Sequence, residues 1–215
     1  MNKEETIARL LDPGIIAIVR ARSPASLSDV AEALYAGGVR AIEATMTTPG
    51  ALDSIRSLPR ETRAKMAVGV GTALRADDAH HAVDAGAAFV VTPVLRLDVV
   101  AACREMGVPV ACGAFTPTEA LAAHEAGADF VKIFPAEICG PAYIKAILAP
   151  LPMLRIIPTG GVSPETCGPF LKAGCVALGA GSRLVSDDIL ESRDWEKLTE
   201  RARQFVEAAQ AAKTR

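Results

Sequence analysis

Glycine recurs at regular intervals at the ends of predicted helices, and this repeat limits the possible folds more than any other feature. The repeated positions are Gly38, Gly86, Gly127 and Gly174, which are separated by 48, 41 and 47 residues. Glycine suits the left-handed conformation that ends many helices. Each interval contains two apolar, β-rich runs that alternate with two helical patterns. The chain therefore consists of four similar quarters, each of which predicts two strand–helix units.

The eight predicted units favour a closed barrel. We expect strands near 14–20, 40–45, 66–71, 88–92, 109–113, 129–133, 154–158 and 175–179. We expect helices near 24–37, 49–58, 75–86, 96–106, 117–126, 141–149, 164–173 and 194–212. Eight such units in 215 residues predict an α/β fold, a (β/α)8 TIM barrel, with an extra helix at the N-terminus. An open, doubly wound sheet is the alternative, because counting elements does not show closure. Without a linker or a low-complexity segment, residues 1–215 form a single predicted domain.

Ser-Pro and Thr-Pro pairs mark several predicted helix starts. A hydroxyl side chain can cap a free backbone N–H there, and proline suits the first helical position because it has no N–H to lose. Glu119 follows Thr116 at the spacing of a capping box. We expect helices to begin at Ser23-Pro24, Thr48-Pro49, Thr116-Pro117 and Ser163-Pro164.

The overall composition is that of a globular protein with a large core. Half of the residues are hydrophobic, and the net charge is −2 with a pI near 6.0. This charge gives no electrostatic reason to expect a nucleic acid or a membrane as partner. The N-terminus lacks the apolar segment of a signal peptide, and no apolar run approaches the ~18 residues that span a bilayer. Five cysteines without a Cys-x-x-Cys pair favour reduced thiols, so we expect a cytoplasmic protein.

One lysine lies in the middle of a predicted strand. Among seven lysines, only Lys132 is enclosed by large apolar residues, in the sequence Phe-Val-Lys-Ile-Phe. Lysine is rarely buried without a partner, and a buried amine gives up its proton more readily, which makes the nitrogen nucleophilic. Lys132 could therefore form a Schiff base with a ketone. The alternative is an edge-strand lysine whose ammonium group reaches water.

The repeat also predicts a carboxylate close to this lysine. Five residues after each repeated glycine, the chain carries Glu43, Val91, Lys132 and Gly179. Alternate strands of a barrel contribute to shared interior layers, so these four residues could occupy one layer. Counting from Gly37 instead of Gly38 would place Ile42 rather than Glu43 in this layer. Strand alternation favours Glu43, because it directs Glu43 inward and Ile42 toward the helices. A buried carboxylate needs a partner, so Glu43 is either a structural ion-pair partner of Lys132 or its acid/base partner. Both residues lie toward the carboxyl ends of their strands, where barrel enzymes carry active sites, which favours catalysis.

Two glycine-rich segments follow the last two predicted strands. They are Pro158-Thr-Gly-Gly161 and Gly179-Ala-Gly-Ser182. Glycines at these two loops of a barrel allow backbone N–H groups to close around a phosphate. Each segment alone is equally compatible with an ordinary tight turn. Together, they predict an anion site.

Four motifs occur in the order of a known family. They are Glu43 in Ile-Glu-Ala-Thr, Val-Gly-Val-Gly-Thr72, Lys132 in Phe-Val-Lys-Ile-Phe-Pro-Ala-Glu, and Pro-Thr-Gly-Gly161. Together these motifs closely resemble the 2-keto-3-deoxy-6-phosphogluconate (KDPG) / 4-hydroxy-2-oxoglutarate (KHG) aldolase family, from about Gly14 to Val185. The resemblance implies a (β/α)8 barrel, usually a homotrimer, that acts as a class I aldolase without a metal or other cofactor.

The resemblance also implies roles for individual residues. Lys132 would form the Schiff base, and Glu43 would be the general acid/base. The pyruvate end of the pocket would be lined by Thr72 and Pro93, with Phe134 near the lysine. Arg20 matches an arginine often found in the pocket. The substrate hydroxyls and phosphate would contact Thr159, Gly160, Gly161, Gly181 and Ser182.

Two positions depart from the family pattern. Several members have an arginine four residues after the glutamate, where it meets the substrate carboxylate, and this chain has Thr47 there. Members often carry Ser-Pro where this chain has Thr92-Pro93. Arg20 could replace the missing arginine, and we count Thr47 among the candidate substrate-binding residues.

By this resemblance the substrate would be 2-keto-3-deoxy-6-phosphogluconate, cleaved reversibly to pyruvate and glyceraldehyde 3-phosphate. The Pro-Thr-Gly-Gly motif favours it over the galactonate-derived phosphate, and 4-hydroxy-2-oxoglutarate is a further alternative. Another phosphate-binding barrel, such as a thiamine-phosphate-synthase-like protein, needs no lysine in mid-strand. A catalytically idle binding or assembly module would not need both Lys132 and Glu43. The three histidines lie on predicted helices, so we expect no metal site.

Overall fold

The structure is a computed structural model that describes residues 1–20 and 27–213. The strands are β1 (Ile15–Val19), β2 (Ala41–Thr45), β3 (Ala67–Gly71), β4 (Val90–Val91), β5 (Val110–Ala114), β6 (Phe130–Ile133), β7 (Ile156–Pro158) and β8 (Leu178–Ala180). The helices are α1 (Lys3–Leu11), α2 (Leu27–Ala36), α3 (Ala51–Arg56), α4 (Arg60–Lys65), α5 (Ala76–Asp84), α6 (Leu97–Glu105), α7 (Pro117–Glu125), α8 (Ala136–Leu148), α9 (Pro164–Lys172), α10 (Asp187–Ser192) and α11 (Trp195–Lys213). Within these ranges, no helix is long and apolar enough to cross a membrane.

The eight strands form one parallel sheet that closes on itself. Neighbouring strands follow the order β7-β6-β5-β4-β3-β2-β1-β8. A parallel bridge between Thr159 and Gly179 joins the two ends of this order. A 3.0 Å hydrogen bond from the Val176 N–H to the Ile156 carbonyl supports the same junction. The predicted (β/α)8 barrel is therefore confirmed, and the open, doubly wound sheet is wrong.

The strands are buried on both faces, as expected for the strands of a closed parallel barrel. Outward-facing side chains of β2, such as Ile42 and Ala44, join a large apolar cluster that includes the inner faces of the helices. Inward-facing side chains form a second cluster, which contains Ala41, Phe89 and Phe130. The alternation predicted for β2 is thus confirmed, and it places the side chain of Glu43 inside the barrel.

Helix α1 fills the amino end of the barrel. Its residues Ile7, Leu10 and Leu11 pack against the interior cluster. The helix begins after Asn2, whose side chain accepts a hydrogen bond from the Glu5 N–H, while the Glu5 carboxylate accepts one from the Asn2 N–H. The predicted N-terminal helix is confirmed, and it covers the barrel interior at one end only.

The sequence predicts where helices end more accurately than where they begin. The repeated glycines all adopt positive φ: 95° at Gly38, 97° at Gly86, 93° at Gly127 and 103° at Gly174. These are the left-handed helix ends that the repeat predicts. Helix α7 begins after Thr116 with the predicted capping box.

One predicted helix start is wrong, and another lies outside the described residues. Helix α9 begins after Ser163 as expected. Helix α3, however, begins at Ala51 rather than at Thr48-Pro49, because Thr48 is engaged in a turn. Its N–H donates to the Thr45 carbonyl at 2.9 Å, and its hydroxyl lies 3.3 Å from the Thr45 hydroxyl. The predicted helix 49–58 is accordingly shorter, and α4 follows it separately. The start expected at Ser23-Pro24 is in the range that the structure does not describe.

Candidate active site

A cavity of about 540 Å³ lies at the carboxyl ends of the strands, opposite α1. It has the size of a small-molecule site, at the end of a barrel where such sites occur. All of the sequence-predicted site residues except Thr47 line it: Arg20, Glu43, Thr72, Pro93, Lys132, Phe134, Thr159, Gly160, Gly161, Gly181 and Ser182. Residues far apart in the sequence thus meet in one place.

Lys132 and Glu43 face each other inside this cavity. The Lys132 Nζ lies 3.6 Å from the Glu43 Oε1, and the side chains are only 8% and 4% exposed. The distance is within ion-pair range but longer than an ordinary hydrogen bond. Both side chains point inward because each follows an interior residue by two positions, Phe130 on β6 and Ala41 on β2. The carboxylate and the amine can therefore exchange a proton through one water molecule, or directly once the side chains move a few tenths of an ångström closer.

Glycines on neighbouring strands make room for this pair. A Cβ at Gly71 would overlap the Glu43 carboxylate, so only glycine leaves space for that side chain at the end of β3. Gly113 stands beside Lys132 in the register of β5 and β6. A Cβ at Gly113 would overlap the backbone of Pro93. The small residues allow the loop after β4 to approach the lysine closely.

Thr72 has an unusual backbone conformation. Its φ is 66°, which places a β-branched residue in the left-handed region that such residues rarely adopt. It directly follows β3 and lines the cavity. Strain of this kind concentrates at functional sites, because the surrounding structure must hold the residue in place. The conformation supports Thr72 as part of a binding site, and no sequence pattern predicts it.

Phe134 and the loop after β4 complete the walls around the lysine. The Lys132 Nζ lies 5.6 Å from the centre of the Phe134 ring. Thr92 is fully buried, donates from its hydroxyl to the Val94 carbonyl at 2.7 Å, and accepts from the Gly113 N–H at 2.8 Å. These two hydrogen bonds fix the backbone on either side of Pro93. A threonine at this position thus provides a rigid support for the cavity wall.

The two glycine-rich loops lie side by side at another part of the cavity. Thr159 is buried, its N–H donates to the Ile133 carbonyl at 2.9 Å, and its side chain occupies the space that a Cβ at Gly179 would need. Gly160 and Gly161 follow with φ of 99° and 69°. Successive backbone N–H groups in such a turn can form an anion-binding nest. The arrangement is compatible with the anion site predicted from the sequence.

Thr47 is the one predicted site residue that does not line the cavity. Its side chain is exposed, and its hydroxyl donates to the Thr45 hydroxyl at 3.1 Å. Arg20, by contrast, lines the cavity from the end of β1. A threonine side chain is also too short to replace an arginine that reaches from this position.

The structure adds charged residues to which the sequence analysis assigned no role in the site. Glu137, Arg183, Asp187 and Asp188 also line the cavity. Arg183 directly follows the second glycine-rich motif, and this adjacency was the only sequence signal for it. The Asp188 carboxylate accepts hydrogen bonds from the Ser186 hydroxyl and the Lys197 ammonium group, which lower its pKa to about 2. The cavity therefore has a charged rim.

Possible metal ligands do not cluster in the part of the chain that the structure describes. Residues 1–20 and 27–213 contain no group of three or more His, Cys, Asp or Glu side chains placed to hold a metal ion. His80 and His81 lie on α5 and His124 on α7, as the sequence predicts. The chemistry that this site can perform with its own residues is that of an amine and a carboxylate.

Sequence comparison identifies relatives over most of the chain. Residues 6–201 match the family model for "KDPG and KHG aldolase". The "KHG/KDPG aldolase" of Escherichia coli strain K12 is 36% identical over 181 residues, which cover 84% of each chain. The "2-dehydro-3-deoxy-6-phosphogalactonate aldolase" of the same strain is 33% identical over 199 residues, which cover 92% of this chain and 95% of the relative.

Solved structures agree with the sequence relatives. A structure described as "Native KDPGal structure" superposes with a TM-score of 0.86 at 32% identity and covers 94% of this chain and 96% of its own. The KDPG aldolase from Legionella pneumophila, with pyruvate captured as a covalent carbinolamine intermediate, has a TM-score of 0.82 at 27% identity, and the match covers 91% and 95% of the two chains. A thiamine phosphate pyrophosphorylase from Pyrococcus furiosus, at 19% identity and a TM-score of 0.71, shares the fold alone.

A family model that matches nearly the whole chain and a relative at 36% identity agree with a barrel whose cavity holds a buried lysine and a carboxylate. The chain therefore belongs to the KDPG and KHG aldolase family and is an aldehyde-lyase.

Proposed function

We propose that the chain cleaves 2-keto-3-deoxy-6-phosphogluconate reversibly to pyruvate and glyceraldehyde 3-phosphate through a Schiff base on Lys132. The observation that carries this proposal is the buried Lys132–Glu43 pair, with 3.6 Å between Nζ and Oε1, inside an accessible cavity. A lysine so enclosed is held next to a base that can take its proton. The glycine loops at the same cavity supply a place for the phosphate.

The reaction begins with attack of the neutral Lys132 amine on the C2 ketone of the substrate. Glu43 moves protons as the carbinolamine forms and loses water to give a protonated iminium. Glu43, directly or through water, then removes the proton of the C4 hydroxyl. The C3–C4 bond breaks, its electron pair moves toward the iminium to form an enamine, and glyceraldehyde 3-phosphate leaves. The enamine takes up a proton at C3, and water hydrolyses the resulting iminium to pyruvate and free Lys132.

The remaining cavity residues bind and orient the substrate in this proposal. Arg20 takes the contact with the substrate carboxylate, because Thr47 lies outside the cavity. Thr72, Pro93 and Phe134 enclose the pyruvate portion around the lysine. Thr159 contacts the substrate hydroxyls, while Gly160, Gly161, Gly181 and Ser182 bind the phosphate. Binding energy from the phosphate holds the C3–C4 bond in the geometry for cleavage.

The Schiff base is tested by trapping it. The protein is incubated with pyruvate and borohydride, and the reduced adduct is located by peptide mass spectrometry. We expect the adduct on Lys132, its loss in Lys132→Ala, and its retention in Lys145→Ala, which removes an exposed lysine from α8. An adduct that survives Lys132→Ala, or the absence of any adduct, would contradict the proposal.

The choice of sugar acid is tested with three compounds. Pyruvate release is measured from 2-keto-3-deoxy-6-phosphogluconate, from the galactonate epimer and from 4-hydroxy-2-oxoglutarate. We expect the highest kcat/KM for the gluconate compound, on the basis of the Pro-Thr-Gly-Gly motif. The galactonate epimer is the second candidate, since a relative named for it aligns with 92% of the chain. A higher kcat/KM for the galactonate epimer would replace the first candidate by the second.

We also propose that the chain forms a homotrimer. Large exposed apolar side chains follow four consecutive strands at the open end of the barrel: Leu74 after β3, Val94 after β4, Phe115 after β5 and Ile138 after β6. Such a patch is typical of an interface between subunits. Light scattering should give three times the chain mass of 22.4 kDa. The double variant Leu74→Glu/Ile138→Glu should reduce this mass, and an unchanged mass would place the interface elsewhere.

A further inference from the structure

Arg183 lies on a rigid turn at the glycine-rich part of the cavity. The Gly181 carbonyl accepts hydrogen bonds from the N–H groups of Leu184 and Val185, at 2.8 and 2.9 Å. The side chains of Leu184 and Val185 are buried in the core, whereas Arg183 is exposed and lines the cavity. The backbone that carries the guanidinium is therefore fixed, while the guanidinium itself can reach a ligand.

Acidic side chains surround the same part of the cavity. Glu137 lies against Gly161, where an added Cβ would stand 2.7 Å from the Glu137 Cβ and 3.7 Å from its Oε2. Asp187 and Asp188 line the cavity as well, and Asp188 forms an ion pair with Lys197 at 3.2 Å. A phosphate monoester, which carries a charge of about −1.5 to −2 near pH 7, would approach these carboxylates.

The cations available to such a phosphate are few. Among the described residues that line the cavity, the basic ones are Arg20, Lys132 and Arg183. Lys132 faces Glu43, and Arg20 projects from the end of β1, while Arg183 belongs to the glycine-rich turn itself. Without a cation, backbone N–H groups and the Ser182 hydroxyl would have to hold a dianion beside Glu137. Arg183 is placed to supply the compensating charge, and its planar group suits two oxygens of a phosphate.

We propose that Arg183 is a specificity-determining residue whose guanidinium binds the substrate phosphate and makes the enzyme favour phosphorylated over non-phosphorylated 2-keto acids. This inference rests on the proposed function. Arg183 attracts the substrate phosphate, and Glu137 repels it. The difference between this attraction and this repulsion sets how strongly the phosphate contributes to substrate choice.

The experiment compares two substrates in matched variants. The measured quantity is the ratio of kcat/KM for 2-keto-3-deoxy-6-phosphogluconate to that for 4-hydroxy-2-oxoglutarate. Arg183→Gln should lower this ratio about 10- to 100-fold, as expected for loss of a charged hydrogen bond. Arg183→Lys should lower it less, because a point charge remains. Glu137→Gln should raise it about two- to fivefold, since a weak like-charge repulsion is removed.

The control is Arg203→Gln on α11, which removes the same charge from an exposed ion pair with Glu200 outside the cavity. We expect its ratio to equal that of the wild type. Three results would overturn the proposal. The substrate ratio of Arg183→Gln could stay within twofold of the wild-type ratio, the ratio of Arg183→Lys could fall as far as that of Arg183→Gln, or the ratio of Arg203→Gln could fall equally far.

The trapping experiment separates this proposal from the one on which it rests. A wild-type protein that forms no reducible adduct with pyruvate contradicts the Schiff-base function itself. A wild-type protein that forms the adduct, but whose substrate ratio does not respond to Arg183→Gln, contradicts only the role of Arg183.

Discussion

The two ends of the barrel interior are built from the same strands but have opposite properties. At the amino end, Ala41 on β2 and Phe130 on β6 pack in an apolar cluster beneath α1. Two residues further along, Glu43 and Lys132 face each other in a solvent-accessible cavity. Ile157 on β7 belongs to the apolar cluster, and Thr159, directly after β7, lines the cavity. Two residues along the chain thus separate the layer that stabilises the barrel from the layer that can meet a substrate.

This difference shows that position along a strand, rather than the strand itself, decides the role of an inward side chain. Strand alternation sends every second residue into the barrel at both ends. At the amino end α1 excludes water, so apolar residues are stabilising there. At the carboxyl end the loops leave a cavity, so polar residues can meet a ligand. Substitutions at the two ends should therefore affect different properties.

The largest expected effect is on turnover, at the carboxyl end. Glu43→Gln should reduce kcat about 10²- to 10⁴-fold, because the variant lacks a general acid/base. The equilibrium amount of pyruvate adduct should fall far less, since Lys132 is retained. Steady-state kinetics and borohydride trapping measure the two quantities separately. The matched control is Glu105→Gln at the exposed end of α6. Equal turnover of Glu43→Gln and wild type would remove Glu43 from the acid/base role.

The next effect is on stability, at the amino end. Phe130 is 1% exposed, and Phe130→Ala should lower the free energy of unfolding by about 3–5 kcal/mol through the cavity that it leaves. Turnover per folded molecule should fall much less than in Glu43→Gln. Denaturant unfolding measures the change. Met153→Ala, at a methionine that is 46% exposed, is the control and should be less than half as destabilising. If Phe130→Ala reduced turnover per folded molecule as much as Glu43→Gln does, the division between the two ends would fail.

The smallest expected effect is at Thr72, where one substitution should change both stability and activity. Thr72 holds a φ of 66° at the cavity, and strain of this kind costs about 1–3 kcal/mol. Thr72→Gly should relieve this strain and thereby raise the free energy of unfolding. The gain should be at most about 1 kcal/mol, because glycine loses more entropy on folding than threonine does. It should also lower kcat/KM by removing a side chain from the cavity. Arg193→Gly is the control, since Arg193 has a φ of 54° at the end of α10. That control should gain stability without losing activity, and a Thr72→Gly variant that did the same would exclude Thr72 from the site.

Local signals in the sequence were sufficient to predict the strands, most of the helices and several residues of the site. Apolar runs and repeated glycines predicted the eight strand–helix units, because helix ends and strand burial depend on residues close together in the chain. The alternation in β2 predicted that Glu43 points inward. The spacing of the repeat associated Glu43 with Lys132, and the structure places them 3.6 Å apart.

Other features depend on contacts between distant segments, and the sequence did not determine them. Closure of the barrel requires the junction of Thr159 with Gly179, which counting strands cannot show. The exclusion of Thr47 from the cavity follows from a turn in which its hydroxyl binds Thr45. The positive φ of Thr72 has no local sequence signal.

The sequence by itself thus determined the order of the elements, the direction of the interior side chains and the presence of an amine and a carboxylate in one barrel. Only the tertiary structure decided which residues share the cavity, including Arg183 and Glu137. The physical reason is that periodicity specifies which face of a strand or helix is buried. The register and closure of the sheet, which depend on packing of the whole chain, specify which of those faces meet.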